Sequence, residues 1–308
     1  MDNHQPAAIR RAIPREAYRK LQKLNPLRAT LGLTATWIAL ILLMSVAYFS
    51  QSYWVYFICA LFIAGRQHAL LVLFHDASHH LLYKKPKVND VLANLLLAFP
   101  LFMSIRLYRH HHHQHHIHTN TENDPDILDA TPPASRKALY LLLLMDFTGI
   151  NGLKSLRSIN TFGVTQLFVR NPLHKAERRL FLLFIATLIG LLSFFHLFRF
   201  YLLYWVIPMW FFLPALLRMR SLGEHAGRRG QSALFFARSI QVNLLERALI
   251  APLNINLHLE HHIFPNIPFY NLQKLSRLLL RDKQFSDHMV INTGYFFGHR
   301  SVLHEIYH

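Results

Sequence analysis

The sequence contains a single cysteine, Cys59, among its 308 residues. A disulfide framework within the chain and a cluster ligated by several thiolates are therefore excluded, and Cys59, which lies in an apolar run, is expected to be a packing residue. Acidic residues are also scarce, with 16 Asp and Glu against 33 Lys and Arg. Any metal chemistry must rest on His, Asp and Glu, and the 22 histidines are the most abundant of these ligand types.

The composition is too apolar for an ordinary soluble domain of this length. Hydrophobic residues make up 52% of the chain, and the mean hydropathy is +0.19. These values indicate membrane embedding. The net charge of +17 could indicate nucleic-acid binding, but the chain has no recognisable nucleic-acid motif, so no such partner is expected. We attribute the basic excess to cytoplasmic loops and to docking of anionic lipid or an acidic partner protein.

Four apolar runs are expected to span the membrane, at about residues 29–49, 54–74, 180–197 and 201–217. The basic segment 1–29 precedes the first run and has no cleavage-site pattern, so it is interpreted as a retained cytoplasmic anchor. Both termini are then cytoplasmic. Residues 30–280 form one membrane domain and residues 281–308 a cytoplasmic tail. The protein would reside in the inner membrane if bacterial, or in the endoplasmic reticulum if eukaryotic.

Eight histidines form three clusters whose spacing of three or four residues favours one helical face. The clusters are His75 and His79; His112, His115 and His116; and His258, His261 and His262. Neutral imidazole commonly binds iron, copper, nickel and zinc. His225, just beyond the last expected span, is a ninth candidate ligand. The run at 109–118 alone could be a tract that scavenges metal, but two further clusters on the same membrane face argue against that interpretation.

A shared metal site constrains the shorter apolar stretches. If residues 91–105 crossed the membrane, the first and second histidine clusters would lie on opposite sides. We therefore predict a re-entrant or surface-lying helix there, and an interfacial helix at about 139–145. The expected fold is an all-α integral membrane protein, in which four transmembrane helices carry a cytoplasmic helical cap with a histidine-rich di-metal site.

The number of candidate ligands indicates two metal ions. Eight or nine imidazoles are too many for one ion, and the scarcity of carboxylates distinguishes this set from the four-helix carboxylate di-iron proteins. Zinc also suits imidazole, but a zinc hydrolase needs only three protein ligands and a water. Iron is favoured because it can activate dioxygen.

The three clusters, the Asn-Asp-Pro-Asp segment ending at Asp126 and the His-Ile-Phe-Pro-Asn-Ile-Pro segment ending at Pro268 together resemble the membrane fatty acid desaturase family. Order, spacing and position relative to the spans agree from about residue 30 to 280. In that family the histidines hold two irons on the cytoplasmic side of a four-span bundle. The resemblance implies nine ligands: His75, His79, His112, His115, His116, His225, His258, His261 and His262.

The first cluster departs from the family pattern at His80, where relatives often have a residue that is not a ligand. Since both HxxxH and HxxxxH spacings occur among relatives, either His79 or His80 completes the cluster, and helical geometry favours His79. Further candidates for metal binding or for orienting the ligands are His80, His111, Asp76, Asp126, Glu224, Asn254 and Glu260. The acids among them are equally compatible with solvated side chains or helix caps.

The resemblance implies oxygen-dependent desaturation of an acyl chain in a membrane lipid or an acyl thioester. Two iron ions (Fe2+/Fe3+) would be the cofactors and dioxygen the co-substrate, with no catalytic side chain beyond the metal centre. The chain has no haem, flavin or iron–sulfur motif. An external electron donor, either a ferredoxin or a b-type cytochrome, is therefore expected on the basic cytoplasmic face.

Three alternatives remain open from the sequence. The same clusters would serve a hydroxylase or ketolase acting on a carotenoid, an alkane or another apolar substrate. A membrane zinc enzyme is the second alternative. A non-catalytic metal-binding or metal-transport protein is the third, and it should carry ionisable residues deep in several spans. Only the second expected span carries such residues, Arg66 and His68, with the polar Gln67 between them.

Overall fold

The computed structural model describes residues 13–128, 131–152, 161–169, 171, 174–228, 235–287 and 289–308, which are mostly helical. Its α-helices are α1 (Arg15–Gln22), α2 (Pro26–Ser50), α3 (Tyr53–Ser78), α4 (Pro86–Ala93), α5 (Ile105–His118), α6 (Arg136–Phe147), α7 (Lys175–Phe194), α8 (Phe198–Tyr201), α9 (Ile207–Phe211), α10 (Leu213–His225), α11 (Leu244–Leu249), α12 (His258–Ile263), α13 (Phe269–Leu279), α14 (Lys283–Ser286) and α15 (Val302–Tyr307). The amino-terminal part of the basic segment, residues 1–12, lies outside the described residues.

Helices α2 and α3 contain the first two expected spans and are both long and apolar enough to cross a membrane. Pro26 occupies the first turn of α2, where its missing N–H costs nothing, and the Asn25 side chain caps that turn. Gln51 ends α2 in the left-handed conformation, and the Ser52 side chain caps α3. Helix α3 continues past the expected end of its span to Ser78, so its last turn carries the first histidine cluster.

A third helical segment, Phe198–His225, is also long and apolar enough to cross a membrane. It consists of α8, a π-helical turn at Leu202–Val206, α9 and α10. The expected span at 180–197 falls in α7, whose first turns carry Lys175, Glu177 and two arginines. The apolar remainder, residues 180–194, extends about 22 Å at 1.5 Å per residue, against a hydrocarbon core of about 30 Å. The described chain thus has three helices of spanning length and hydropathy where four were expected.

The stretch expected to be re-entrant or surface-lying is an irregular helical connection. After α4 the chain forms a π-helical turn at Asn94–Ala98 and a 3₁₀ turn at Phe99–Leu101. Phe102 then adopts a left-handed conformation, with φ of 60°, before α5 begins. The Asn94 side chain accepts a hydrogen bond from the Ile105 amide (3.1 Å), which fixes the start of α5. This connection brings the second histidine cluster beside the first.

The carboxy-terminal region packs against the helices that carry the histidines. Its strands β1 (Ser239–Ile240) and β2 (Ile291–Asn292) form a parallel pair, a small departure from the expected all-α fold. Residues 281–308 are folded here: Tyr295, Val302 and Leu303 are buried in a core that includes residues of α10. His288 lies outside the described residues.

The polar residues within α3 bind backbone carbonyl groups of neighbouring segments. Arg66 donates to the carbonyl of Ala248, Gln67 donates to that of Trp205 (2.9 Å), and the Nδ1 atom of His68 lies 3.1 Å from the Leu249 carbonyl oxygen. Such bonds compensate for desolvation of polar groups at membrane depth. Gln67 therefore holds the π-helical turn at Leu202–Val206 to α3, and His68 holds α11 to α3. Among the described residues, His68 is in no group of candidate metal ligands.

Close packing at Gly65 predicts a stability defect. A Cβ atom there would lie 2.7 Å from the Ala248 carbonyl oxygen and 3.2 Å from the Leu249 Cα atom, both backbone atoms of α11. We expect Gly65→Ala to destabilise the protein by about 1–3 kcal/mol, because overpacking forces the backbone apart. Gly190→Ala is the matched control, since a Cβ at this helical position meets nothing within 4 Å. Thermal unfolding in detergent should show a lower midpoint for Gly65→Ala only; equal midpoints would contradict the packing.

Candidate metal centre

The structure divides the nine candidate histidines into two sets, in each of which the potential ligand atoms lie within 4.8 Å of one another. The five-histidine set comprises His75, His79, His112, His116 and His261; the four-histidine set comprises His115, His225, His258 and His262. All except His79 are buried. The rings of His116 and His262 have their centroids 4.4 Å apart, so the two sets are adjacent.

Four helices supply these side chains. The last turn of α3 and its C-cap carry His75 and His79, and α10 ends at His225. The other six histidines lie on α5 and the short helix α12. Residues 256–259 interact with β1: Ile240 donates from its amide to the Asn256 carbonyl (2.9 Å), and Leu259 donates to that of Arg238 (3.1 Å). The two-stranded pair therefore fixes α12 relative to the rest of the centre.

The Nε2 atoms of the five-histidine set converge at distances typical of ligands on one ion. His112 Nε2 lies 3.0 Å from the Nε2 atoms of both His79 and His116, and His261 Nε2 lies 3.2 Å from that of His116. Two ligands at right angles, each about 2.1 Å from a metal, are about 3.0 Å apart. These imidazoles cannot all satisfy one another by hydrogen bonding, because a neutral ring has one donor nitrogen and one acceptor nitrogen.

The four-histidine set shows the same convergence. His258 Nε2 lies 2.9 Å from the Nε2 atoms of both His225 and His262. His115 Nε2 lies 3.3 Å from His262 Nε2. The arrangement therefore repeats on both sides of the adjacent rings, as expected for two neighbouring ions.

His75 provides the sharpest test of whether these residues fit a metal. It is 1% exposed, and neither of its ring nitrogens has a hydrogen-bond partner in the structure. Its ring centroid lies 4.4 Å from those of His112 and His261. A buried unsatisfied polar atom costs about 1–3 kcal/mol. A cation bound to the set would satisfy the Nε2 atom, so the residues present fit the metal that the donor set implies.

The protonation of the candidate histidines outside the membrane-spanning helices also suits metal binding. Burial, together with neighbouring charged groups, lowers the pKa of His79 to about 3. Burial is also the main cause that holds the pKa of five others well below the usual value: His112, His116, His258, His261 and His262. These rings are neutral at pH 7 and have a lone pair available for a metal.

Asp124 orients one histidine of the four-histidine set. Its buried carboxylate accepts from Nδ1 of His115 (2.8 Å), which leaves His115 Nε2 directed at the set. Burial alone would lower the pKa of His115, but the nearby Asp124 and Asp126 carboxylates hold it above its ordinary value. A carboxylate bonded to the outer nitrogen of an imidazole is the usual support of a metal ligand. We interpret the group of His115, Asp124 and Asp126 in this way and not as a third metal site.

Asp126 was among the candidates predicted from the sequence, and Asp124 was not. Asp126 accepts a hydrogen bond from His111 (2.7 Å). His111 and Asp126 both lie outside the two histidine sets. The folded turn places Asp124, and not Asp126, in hydrogen-bond contact with His115. Its carboxylate is held there because it also accepts from the backbone amides of Asn120 (2.8 Å) and Asp126 (2.9 Å). The Asn-Asp-Pro-Asp motif was the only available signal, and it contains both acids.

The remaining candidate acids differ in their proximity to the ligands. Glu224 Oε1 lies 3.3 Å from Nδ1 of His258 and accepts from Arg220 (2.6 Å). Asp76 accepts from the Phe269 amide (2.8 Å), and its other carboxylate oxygen lies 3.7 Å from Nδ1 of His75. Glu260 bonds Ser239 instead of a histidine. Its role in the described structure is to join α12 to β1.

The structure favours His79 over His80 in the first cluster. His80 has a left-handed backbone, with φ of 58°, and its Nδ1 atom lies 3.5 Å from Asp90, away from the histidine sets.

The segment that precedes α12 contains Asn254, also left-handed with φ of 64°. Its side-chain amide donates to the Phe269 carbonyl (3.0 Å), which joins this segment to α13.

Arg109 fixes the end of α3 relative to α5. Its guanidinium donates to the carbonyl oxygens of Ser78 (2.7 Å) and Ala77 (3.3 Å) and to both carboxylate oxygens of Asp90 (2.5 and 3.1 Å). The acceptors on α3 immediately precede His79. The planar, five-donor guanidinium can bridge these groups simultaneously, whereas an ammonium group cannot.

We expect Arg109→Lys to increase the rate at which a chelator removes bound metal by roughly tenfold, because the first cluster loses its anchor. Arg106→Lys is the matched control on the same helix, since that side chain is half exposed and lies 3.6 Å from Glu177. Metal release would be followed by the absorbance of a chelator complex, with helicity checked by circular dichroism. Equal release rates for the two variants would contradict the anchoring role.

Comparisons with known proteins agree with the histidine pattern. The family model described as fatty acid desaturase matches residues 51–293. Among curated proteins, the chain is similar to dihydrorhizobitoxine desaturase from Bradyrhizobium elkanii. The two are 29% identical over 264 residues, which cover 80% of this chain and 74% of that protein.

Proposed function

We propose that this chain, which belongs to the fatty acid desaturase family, is an oxygen-dependent di-iron enzyme that introduces a double bond into an acyl chain of a membrane lipid or an acyl thioester. The observation that carries the proposal is the convergence of nine histidines into two adjacent sets. These sets lie at the ends of two helical segments that are long and apolar enough to cross a membrane. A metal-transport protein is less favoured, because only the second expected span carries ionisable residues.

The proposed ligands are the nine histidines of the two sets. When bound, two iron ions would supply dioxygen activation and the removal of one hydrogen from each of two adjacent substrate carbons. The protein residues hold and orient the imidazoles: Asp124 fixes the tautomer of His115, and Glu224 lies beside His258. Burial of eight of the nine rings excludes bulk water from the ligands. No carboxylate among the described residues is required as a base in this scheme.

The proposed reaction requires an electron donor. Reduction of one dioxygen to two waters takes four electrons, of which the substrate C–H bonds supply two. An external ferredoxin or b-type cytochrome would supply the other two, with two protons from solvent. The net charge of +17 supports docking of an acidic carrier.

The proposed topology has four spans and cytoplasmic termini. Helix α7 would be the remaining span, completed by the turn that follows it and by arginines 178 and 179 at the interface. Residues 30–280 would form the membrane domain, with the helical cap and both histidine sets on the cytoplasmic side. The basic amino terminus supports this orientation through the positive-inside rule.

The function can be tested by expressing the chain with a ferredoxin and its reductase in a host that lacks desaturases, followed by mass spectrometry of total lipids. We expect a new unsaturated acyl species that disappears with His261→Ala, and iron that co-purifies with the wild type. Unchanged lipids in the presence of iron-loaded protein would contradict the acyl substrate. A hydroxylated or keto product would instead identify the hydroxylase or ketolase alternative.

A second candidate substrate follows from the similarity to dihydrorhizobitoxine desaturase. The name of that relative gives dihydrorhizobitoxine as its substrate. The same expression strain should therefore be supplied with dihydrorhizobitoxine, and the medium analysed for a product lighter by two hydrogens. Formation of that product without any change in lipids would favour this substrate over an acyl chain.

A further inference from the structure

An apolar groove lies between the first two spanning helices and α11. Its volume is about 620 Å³, within the range of about 300–1,000 Å³ that is usual for ligand sites. The lining is contributed by four apolar residues on one face of α2, of which Ala39 is the first, by Phe62 and Arg66 of α3, by Leu244, Arg247 and Ala248 of α11, and by Pro252 and Leu253. Apart from two arginines, the lining residues are apolar.

The two arginines, Arg66 and Arg247, face the groove without an anionic partner. No acidic residue lines the groove, and neither guanidinium forms an ion pair with a residue that the structure describes. Arg66 is partly buried and donates a hydrogen bond to the backbone carbonyl of Ala248. An uncompensated charge on a spanning helix is costly, and such a residue normally has a partner.

The groove lies on the membrane side of the metal centre. Arg66 precedes His75 by nine residues on α3, which is about 13 Å along the helix axis at 1.5 Å per residue. Beside the groove, Leu42 and Val46 of α2 and Leu244 and Leu245 of α11 are exposed large apolar side chains. Exposed apolar residues on both walls suit contact with hydrocarbon and make the groove accessible from the bilayer.

We propose that this groove binds one anionic phospholipid of the surrounding membrane. The headgroup phosphate is held by Arg66 and Arg247, and one acyl chain lies along the apolar lining. Guanidinium groups form charge-assisted, often bidentate hydrogen bonds with phosphate oxygens, and a phosphate would neutralise the unpaired charge. A zwitterionic lipid fits less well, because its ammonium group has no acidic residue in the lining to pair with.

Lipid bound here would bridge α2, α3 and α11. Helices α3 and α11 otherwise meet through close packing at Gly65 and through the carbonyl bonds of Arg66 and His68. Because α11 leads through the turn at 252–254 to the ligand helix α12, the lipid would support the third histidine cluster from the membrane side. The proposal concerns a lipid site and does not depend on the reaction proposed above.

The test is native mass spectrometry of the purified full chain titrated with dioleoylphosphatidylglycerol or dioleoylphosphatidylcholine, which have the same acyl chains. We expect one phosphatidylglycerol molecule to bind roughly tenfold more tightly than phosphatidylcholine. A difference of this size corresponds to one charge-assisted hydrogen bond. Arg247→Gln and Arg66→Gln should each remove most of this preference. Ala39→Phe keeps both charges but fills the groove, and should weaken phosphatidylglycerol binding.

Arg277→Gln is the matched control, since it removes an exposed arginine on α13 that does not line the groove. It should bind both lipids as the wild type does, and iron content should be measured for every variant to verify folding. Equal binding of the two lipids by the wild type would overturn the proposal. So would a preference retained by correctly folded Arg247→Gln, or full binding by Ala39→Phe. None of these results requires desaturase activity, so failure here is distinguishable from failure of the proposed reaction.

Discussion

Replacing His112 with alanine is expected to reduce formation of the unsaturated product to background, whereas replacing His110 should leave it near the wild-type level. The two residues are two positions apart on α5. His112 is buried, and its Nε2 atom lies 3.0 Å from those of His79 and His116. His110 is exposed and belongs to neither histidine set. Loss of His112 removes one proposed ligand, and with it the Nε2 atom that lies 3.0 Å from those of two other proposed ligands.

The comparison of these two variants controls for the general effect of losing an imidazole from this helix. Product would be measured by mass spectrometry of lipids, and iron by elemental analysis of the same purified preparations. We expect His112→Ala to lose iron as well as activity, while remaining monodisperse in detergent. Similar activity for the two variants would remove His112 from the proposed ligand set. A surface substitution such as His110→Ala usually has little effect on stability.

Replacing Asp124 with asparagine is expected to lower iron retention and activity by about 10–100-fold, the usual effect of losing the outer support of a metal-bound imidazole. The Asp124 carboxylate accepts from His115 Nδ1, so in the neutral ring the lone pair is on Nε2. An asparagine that presents its amide nitrogen to Nδ1 would favour the opposite tautomer. His115 would then direct a proton, instead of a lone pair, at the four-histidine set.

Asp126→Asn is the matched control for this prediction. Asp126 lies on the same turn, but it bonds His111, which is outside both sets. We expect a smaller loss of iron, measured as the rate of transfer to a chelator, together with a smaller loss of product. A larger effect at Asp126 than at Asp124 would contradict the assignment of the supporting carboxylate.

The sequence identified all nine histidines of the two sets, but it could not predict how they are divided. Within α5, His112 and His116 contribute to one set and His115 to the other; within α12, His258 and His262 are together and His261 is apart. At about 100° per residue, a spacing of four offsets two side chains by about 40°, and a spacing of three by about 60° in the opposite direction. Each i, i+4 pair therefore stays together, and the i+3 residue faces the neighbouring set.

The spans were predictable where long apolar runs have clear ends. Asn25, Ser52 and Gln51 mark the ends of α2 and α3, and the family resemblance read from the histidine motifs is confirmed by the family-model match. The third and fourth expected spans were harder, because charged residues begin α7 and a π-helical turn interrupts the segment that follows. The sequence does not distinguish Asp124 from Asp126 as the acid that supports His115, since both are in the same motif. Only the folded turn shows that it is Asp124.

The central claim is tested most directly by the metal content of the purified wild-type protein, combined with Mössbauer spectroscopy after growth on ⁵⁷Fe. We predict two iron ions per chain, in nitrogen-rich environments, in preparations whose activity scales with iron content. The His112→Ala and His258→Ala variants, one from each set, should each fall well below two. One iron per active chain, or full activity in protein that contains only zinc, would contradict the di-iron centre.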